Sequence, residues 1–379
     1  MGRMHSPTIA LALATAAMML ASPLAPAGAA TTESGSPGAS PEVRVITTDV
    51  VAPVQIAAHE GKVYVGDIAR STLTRLGYPT PLAVGPHPGE IAGVDFKPDD
   101  FVLAYAATDR RTGQGTVTIR RRGSSPVVAD VSRFEQEKNP DGSLFYGVHT
   151  SDPCVRDAVA KLPLPSPRPA GYYGVVKAHP YAVAAGTHND WYVVDSAAND
   201  LLRIDQSGNI ELVAVLPGQP YVITRHDAEA LGLPDCLVGV RYTFEAVPTD
   251  VEVGADGALY VSTFPGGPES LQLGARGSVY RVDPVTGDTD QIITGLGGAV
   301  NLALGPNGRI YIAELFSGQI SVATPNRSRS KVSKAKPLVR LPNVAAVEFD
   351  GDSLYASSLS PDYLKGEPTG NGSVVRIRI

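Results

Sequence analysis

The chain has 379 residues, with 39 Gly, 32 Pro and 43% hydrophobic residues, the make-up of a folded, turn-rich protein. A formal net charge of −6 without a basic face excludes a role built on non-specific nucleic-acid binding. The length allows two or three domains, or a single one if the chain repeats.

Arg3 and His5 precede an apolar run, Ile9–Leu20, followed by Pro23, Pro26 and the small-residue end Ala27-Gly28-Ala29. Residues 1–29 therefore read as a secretory signal peptide. The run is too short to span a bilayer, which takes about 20 residues, and no later segment approaches that length. The mature protein is expected to begin near Ala30 and to be secreted, extracellular or in the cell envelope, with no transmembrane segment. With no twin-arginine pair and no Cys at the cleavage site, the general secretory route fits. Residues 30–41, rich in Ser, Gly and Pro, read as a disordered leader.

From Glu42 onward the text alternates. The clearest stretch, Pro248–Leu296, holds four apolar-alternating runs, Thr249–Val253, Ala258–Thr263, Ser278–Val282 and Asp290–Thr294. Gly254-Ala255-Asp256-Gly257 and the turn Asp283 to Asp288 separate them in pairs. Period-2 alternation bounded by Gly, Pro and Asp marks half-buried antiparallel strands. The same grammar recurs in Pro53–Gly85, Gly89–Glu135, Tyr172–Pro217, Ala299–Pro342 and Asn343–Ile379, giving six copies. In the third copy the first strand reads as YGVVKAH, ending at His179. With two insertions, 136–171 and 218–247, set aside, the period is about 45 residues, the size of a four-stranded propeller blade. The sixth copy stops after its third strand, and an orphan strand, Glu42–Val51, precedes the first. Residues 42–379 are thus expected to form an all-β fold, a six-bladed β-propeller closed by its N-terminal strand beside Ser373–Ile379. That pairing hides two sheet edges. A two-sheet sandwich does not repeat a strand–turn grammar six times.

Both insertions connect a fourth strand to the next first strand, and in a propeller such connections emerge on one face. The first suggests a short helix at Val155–Leu162; in the second, Thr224 caps a helix that Gly232 ends. Cys154 and Cys236, the only two Cys, lie one in each insertion. An exported pair without His at metal spacing reads as a disulfide, worth about 2–4 kcal/mol, fastening a lid or rim over one mouth.

The repeated P-x-D-V-x-V-G-x-D-G-x-L-Y-V of Pro248–Val261, NDLLRID at Asn199–Asp205, RGSVYRVDPVTG at Arg276–Gly287 and GPNGRIYIAELFSGQISV at Gly305–Val322 resemble the ScyD/ScyE family of secreted propellers. ITRHDAEALGLPDCLVG, in the second insertion, is also similar to that family, part of the wider NHL and gluconolactonase-like group. The resemblance covers nearly the whole mature chain. It implies the propeller fold and carries no settled activity.

First strands line a propeller's channel, so aligned positions form a ring. The alignment stacks Gln55, Gly93, Gly174, Asp250, Asn301 and Ala346; the second-strand ends stack Asp67, Thr108, Asp195, Thr263, Glu314 and Ser358. Oxygen donors converging on one axis suit a hard cation, Ca²⁺ first. In gluconolactonase-like propellers a Glu, an Asn and an Asp near the axis hold such a metal; the ring makes Asp250, Asn301 and Glu314 the candidates for that role here, with Gln55 beside them, while the resemblance itself does not carry the lactonase motif over. That group's Glu belongs early in the first blade, where this chain has Gln55. The simpler reading is that these side chains satisfy backbone and channel groups. Asp67 and Asp195 read as residues that fix the turn after the second strand. His59 and His179 occupy matching strand ends in this alignment and read as turn packing. No G-x-S-x-G, S-x-x-K, H-E-x-x-H or phosphate loop is present. The basic run Arg327–Lys336 reads as a solvated hairpin tip, and Asn326 and Asn371 begin glycosylation-type triplets. Two functions follow. One is a monomeric binding or scaffold module that takes a small molecule or protein at the insertion-covered face. The other is a lactonase-type, metal-dependent hydrolase working in the channel.

Overall fold

The computed structural model describes residues 41–97, 102–160, 162, 169–187, 189–325 and 332–379. The stretches read above as a signal peptide and, but for Pro41, as a leader lie outside them, as do the Asn326 triplet and residues 327–331 of the basic run. No helix among the described residues is long and apolar enough to cross a membrane.

β1 (Glu42–Thr47) opens the chain. Sheet 1 follows as β2 (Pro53–His59), β3 (Lys62–Asp67), β4 (Thr72–Arg75) and β5 (Ala83–Val84). Sheet 2 is β6 (Gly89–Lys97), β7 (Val102–Asp109), β8 (Gln114–Arg121) and β9 (Val127–Asp130). The first insertion supplies α1 (Val131–Lys138), β10 (Phe145–Gly147), α2 (Pro153–Val159) and β11 (Gly171–Tyr173). Sheet 3 is β12 (Pro180–Ala185), β13 (Trp191–Asp195), β14 (Asp200–Ile204) and β15 (Ile210–Val215). The second insertion carries β16 (Gln219–Val222), α3 (Arg225–Leu231) and β17 (Arg241–Phe244). Sheet 4 is β18 (Pro248–Val253), β19 (Leu259–Thr263), β20 (Gly277–Val282) and β21 (Thr289–Leu296). Sheet 5 is β22 (Ala299–Leu304), β23 (Ile310–Glu314), β24 (Gln319–Ala323) and β25 (Lys336–Arg340). Sheet 6 has β26 (Val344–Asp350), β27 (Ser353–Ser358) and β28 (Ser373–Arg378), and β1 adds to it antiparallel, Glu42 opposite Arg378.

Each of these six sheets runs in sequence order, and the first strands pack in turn: β2 on β6, then β12, β18, β22 and β26, which returns to β2. Apolar faces meet between neighbouring sheets. Trp191, Leu202 and Ile204 of sheet 3 bury against Val102, Ala104, Val117 and Ile119 of sheet 2. On the other side Ala184, Val194 and Leu201 meet Val251, Leu259 and Val261 of sheet 4. At about 25 cal/mol per Å² these shared faces supply the main driving force. Gly66 shows how close the sheets come: a Cβ there would sit 2.0 Å from the Ala92 carbonyl oxygen.

The first strands share a device. The ladder slips between Pro53 and Gln55, Pro180 and Ala182, Pro248 and Asp250, Ala299 and Asn301, and Val344 and Ala346. Such bulges re-aim a side chain. They correct the sequence alignment in the third copy, whose first strand is β12 rather than YGVVKAH. Pro is tolerated as a strand's first residue, and Pro180 is the counterpart of Pro53 and Pro248. Ala182, not Gly174, stands in the ring; Gly174 lies against Asp141 in the first insertion. His59 and His179 therefore lie at opposite ends of their strands.

The insertions are not loops. They pair into a seventh four-stranded sheet, β11-β10-β17-β16, in which β10 of the first meets β17 of the second. This cap sheet has its own core, with Val155, Val159, Leu162, Ile223, Leu237, Tyr242 and Phe244. The helix expected at Val155–Leu162 forms earlier, because Asp152 caps it and Pro153 occupies its first turn. α3 has the expected Thr224 cap, a reciprocal capping box with Asp227, and ends at left-handed Gly232. Cys154 and Cys236 are joined across 82 residues. Replacing both by Ser should cost about 2–4 kcal/mol. Limited proteolysis should then cut within 141–170 and 218–247 first; cleavage starting in sheets 1–6 would contradict a cap that is separately stapled.

Candidate functional site

Second-strand ends and first-strand starts share one face of the ring, and the cap lies there because both insertions run between a fourth strand and a first. Buried carboxylates fasten this face. Asp67 accepts the N–H groups of Val51 (2.8 Å), Ala52, Ala69 and Arg70. Asp195 accepts those of His179 (2.7 Å), Ala197 and Ala198. Glu314 accepts from Gly297 N (2.5 Å), Ser317, Gln319 and Ser321. Each thus binds backbone just ahead of its own first strand. The reading of Asp67 and Asp195 as turn-fixing residues agrees with this geometry, and Glu314 works the same way. Glu314 is therefore not brought to Asp250 and Asn301.

Those two do meet Gln55. Asn301 Nδ2 donates to Gln55 Oε1 at 2.8 Å, and Gln55 Nε2 donates to the Thr249 carbonyl at 3.2 Å. Asn301 Oδ1 accepts Val347 N–H at 2.6 Å, and Asp250 Oδ2 accepts Leu302 N–H at 2.9 Å. The three side chains, 2–3% exposed, form a polar plug across the axis. Burial pushes the Asp250 carboxyl up to about 8, against the pull of its N–H donors.

Two residues further along the first strands, Asp95, Glu252 and Glu348 stand on sheets 2, 4 and 6, whereas Ala57, Ala184 and Ala303 stand on sheets 1, 3 and 5. Burial pushes Asp95 up to about 6. Burial and mutual repulsion push Glu252 and Glu348 well above the usual carboxylate range. Among the described residues no three His, Cys, Asp or Glu side chains are already arranged round one point as metal ligands.

At the mouth lies a constellation that the sequence alignment missed. Glu90, second residue of β6, is buried between His179 Nε2 on one oxygen and Arg110 Nη2, 2.8 Å away, on the other. Burial works against its charge, but His179 and Arg110 outweigh that and hold it down at about 2. Burial likewise opposes the His179 imidazolium, and the Glu90 charge overcomes it and raises His179. Tyr181 packs on His179 with ring centres 5.6 Å apart, and Tyr363, in the turn between β27 and β28, lies against Arg110. The signal that could have found this site was the proline register: aligning Pro180 with Pro53 and Pro248 places His179 at the mouth. Chemically, two cations on one carboxylate, flanked by two phenols, can hold acceptor oxygens and keep a proton in place.

The chain matches no protein-family model and no curated protein. Among solved structures it is similar to the PQQ-bound aldose sugar dehydrogenase of Streptomyces coelicolor, at 13% identity and a TM-score of 0.51, over 90% of this chain and 99% of that one. It also aligns with virginiamycin B lyase from Staphylococcus aureus (11% identity, TM-score 0.48, 90% and 99% covered). A gluconolactonase from Xanthomonas campestris aligns at 11% identity and TM-score 0.39, with 88% and 99% covered. The fold is that of the β-propellers. At such identities the likeness speaks for the fold alone.

The raised acids of this propeller's channel set a sign. Asp250 (about 8) and Asp95 (about 6) keep protons that the unfolded chain releases near pH 4, so their contribution is full below about pH 4 and is lost as pH rises to about 8. Glu348→Gln should raise the Tm at pH 8 by about 2–4 °C and leave it nearly unchanged at pH 4. Melting curves across this range check it; a lower Tm at pH 8 would rule out repulsion among the axial acids.

Proposed function

We propose that the chain is an exported, monomeric six-bladed β-propeller, closed by β1, that binds a small molecule bearing acceptor oxygens, or a protein segment presenting them, at its cap-covered mouth. Membership in the ScyD/ScyE family is part of this reading and rests on the motif resemblance. The observation that carries it is the convergence of Glu90, His179, Arg110, Tyr181 and Tyr363 on the face from which both insertions emerge. Buried charge of this kind is costly to maintain for stability alone. Two cationic side chains meeting at one place favour a carboxylate, phosphate or polarised carbonyl. Calorimetry against a panel of hydroxy acids, lactones and sugar phosphates should find a ligand whose affinity falls about 10–100-fold in His179→Gln and Arg110→Gln. Asp250→Asn should leave it unchanged. Equal binding by the His179 and Arg110 variants would sink this reading.

The alternative is the metal-dependent hydrolase of the lactonase type. What favours it is the meeting of Gln55, Asp250 and Asn301 on the axis, an oxygen set of the kind Ca²⁺ takes. Asp250 Oδ2 and Asn301 Oδ1 already hold backbone N–H groups, and Glu314 is engaged elsewhere, so this reading requires those contacts to be exchanged. Lactone hydrolysis lost in Asp250→Ala and Asn301→Ala but kept in His179→Gln would select the alternative.

A further inference from the structure

We propose that Glu135 and Asp200 hold a divalent cation, Ca²⁺ by its chemistry, at the seam between the cap and sheet 3. Four carboxylates gather there: Glu135 on α1, Asp141 in the loop before β10, Asp195 ending β13 and Asp200 opening β14. All are at most 1% exposed. Their surroundings differ. Asp195 is taken up by three backbone N–H groups, and Asp141 Oδ2 accepts Asn199 Nδ2 at 2.9 Å and the Tyr146 hydroxyl at 3.2 Å. Asp200 has no hydrogen-bond donor on either oxygen. Neither Glu135 oxygen has a partner in good hydrogen-bond geometry; the Lys177 backbone N–H offsets only part of the burial and like charge that push this carboxyl up to about 7. One turn on from Glu135, the Asn139 Oδ1 is likewise buried without a donor.

Ionised, such a group costs several kcal/mol to bury, and each neighbouring carboxylate adds to that cost. Burial and the charges of Asp195, Glu135 and Asp141 push Asp200 well above its usual range. Three of the axial acids, Asp95, Asp250 and Glu348, differ, since each accepts a backbone N–H group. At the seam, the carboxylate oxygens of Glu135 and Asp200 are hard ligands, with no sulfur or imidazole beside them. That chemistry suits Ca²⁺, which takes six to eight oxygens and accepts peptide carbonyls and water for the remainder. The cation would join α1 to sheet 3 one residue layer below the mouth, because Asp195 also holds the His179 N–H.

The test is elemental analysis and melting of the purified full chain after chelation and after addition of Ca²⁺ alone, for wild type, the Glu135→Gln/Asp200→Asn double variant and Asp250→Asn. The expected result is one Ca²⁺ per chain in wild type and Asp250→Asn, with a Tm rise of about 3 °C or more at 1 mM Ca²⁺, and neither in the double variant. The double variant, relieved of buried charge, should melt in chelator no lower than wild type, which shows that it folds. Metal kept by the double variant and lost by Asp250→Asn would overturn the proposal in favour of the axis. No Ca²⁺ at millimolar concentration in wild type, with a chelated Tm that rises as pH falls, would overturn it in favour of protons.

Discussion

Every first strand in this ring is the edge of its own sheet. It has a ladder partner on one side only, and toward the axis its backbone N–H groups meet no strand. A buried N–H without an acceptor is costly, so side chains must supply one. Asp95 does so for Ala185, Asp250 for Leu302 and Asn301 for Val347, each reaching from one sheet to the first strand of another. Ser357 donates to the Pro53 carbonyl and Thr249 to that of Ala299, joining further pairs of sheets. The polar axis is thus a requirement of the architecture before it is a site.

That requirement sorts the sheets into two kinds. Sheets 1, 3 and 5 carry a buried carboxylate at the end of the second strand, Asp67, Asp195 or Glu314, which holds the backbone entering the first strand. Sheets 2, 4 and 6 carry the axial acids Asp95, Glu252 and Glu348. Carboxylates that look alike in the text therefore have different work: one set holds the backbone entering its own sheet, the other lies along the channel, where its members repel one another. Glu90 belongs to neither set. It faces a histidine and an arginine, and that pairing is what separates the mouth from the structural carboxylates around it.

The cap follows the same logic at larger scale. Two insertions that each supply only two short strands cannot bury a sheet alone, and pairing β10 with β17 gives them one core. The disulfide fastens that core at its outer end. At its inner end stand the seam acids, where Asn199 bonds both Asp141 and the Val247 N–H and so ties both insertions to sheet 3. The position of His179 depends on this seam through Asp195.

Most strands of the repeats, the β1 orphan and the Thr224–Gly232 helix were legible from period and turn chemistry, because those signals are local; β12 and the four cap strands were not. Cys154 and Cys236 were legible as a pair because nothing else in the chain competes for them. Gln55, Asp250 and Asn301 were legible as neighbours, since repeated register places equal positions on one axis. Glu90 with His179 was not: they lie 89 residues apart on different sheets, and a bulge and a proline decide which end of the strand faces the mouth. Nor was the division of the carboxylates, because burial and hydrogen-bond partners decide whether an acid fixes backbone, repels its neighbours or waits for a counter-charge. Sequence alone determined the alternating strands of the repeats; only the tertiary structure decided that the insertions pair into a further sheet and which polar groups share a buried space, because both depend on contacts between segments far apart in the chain.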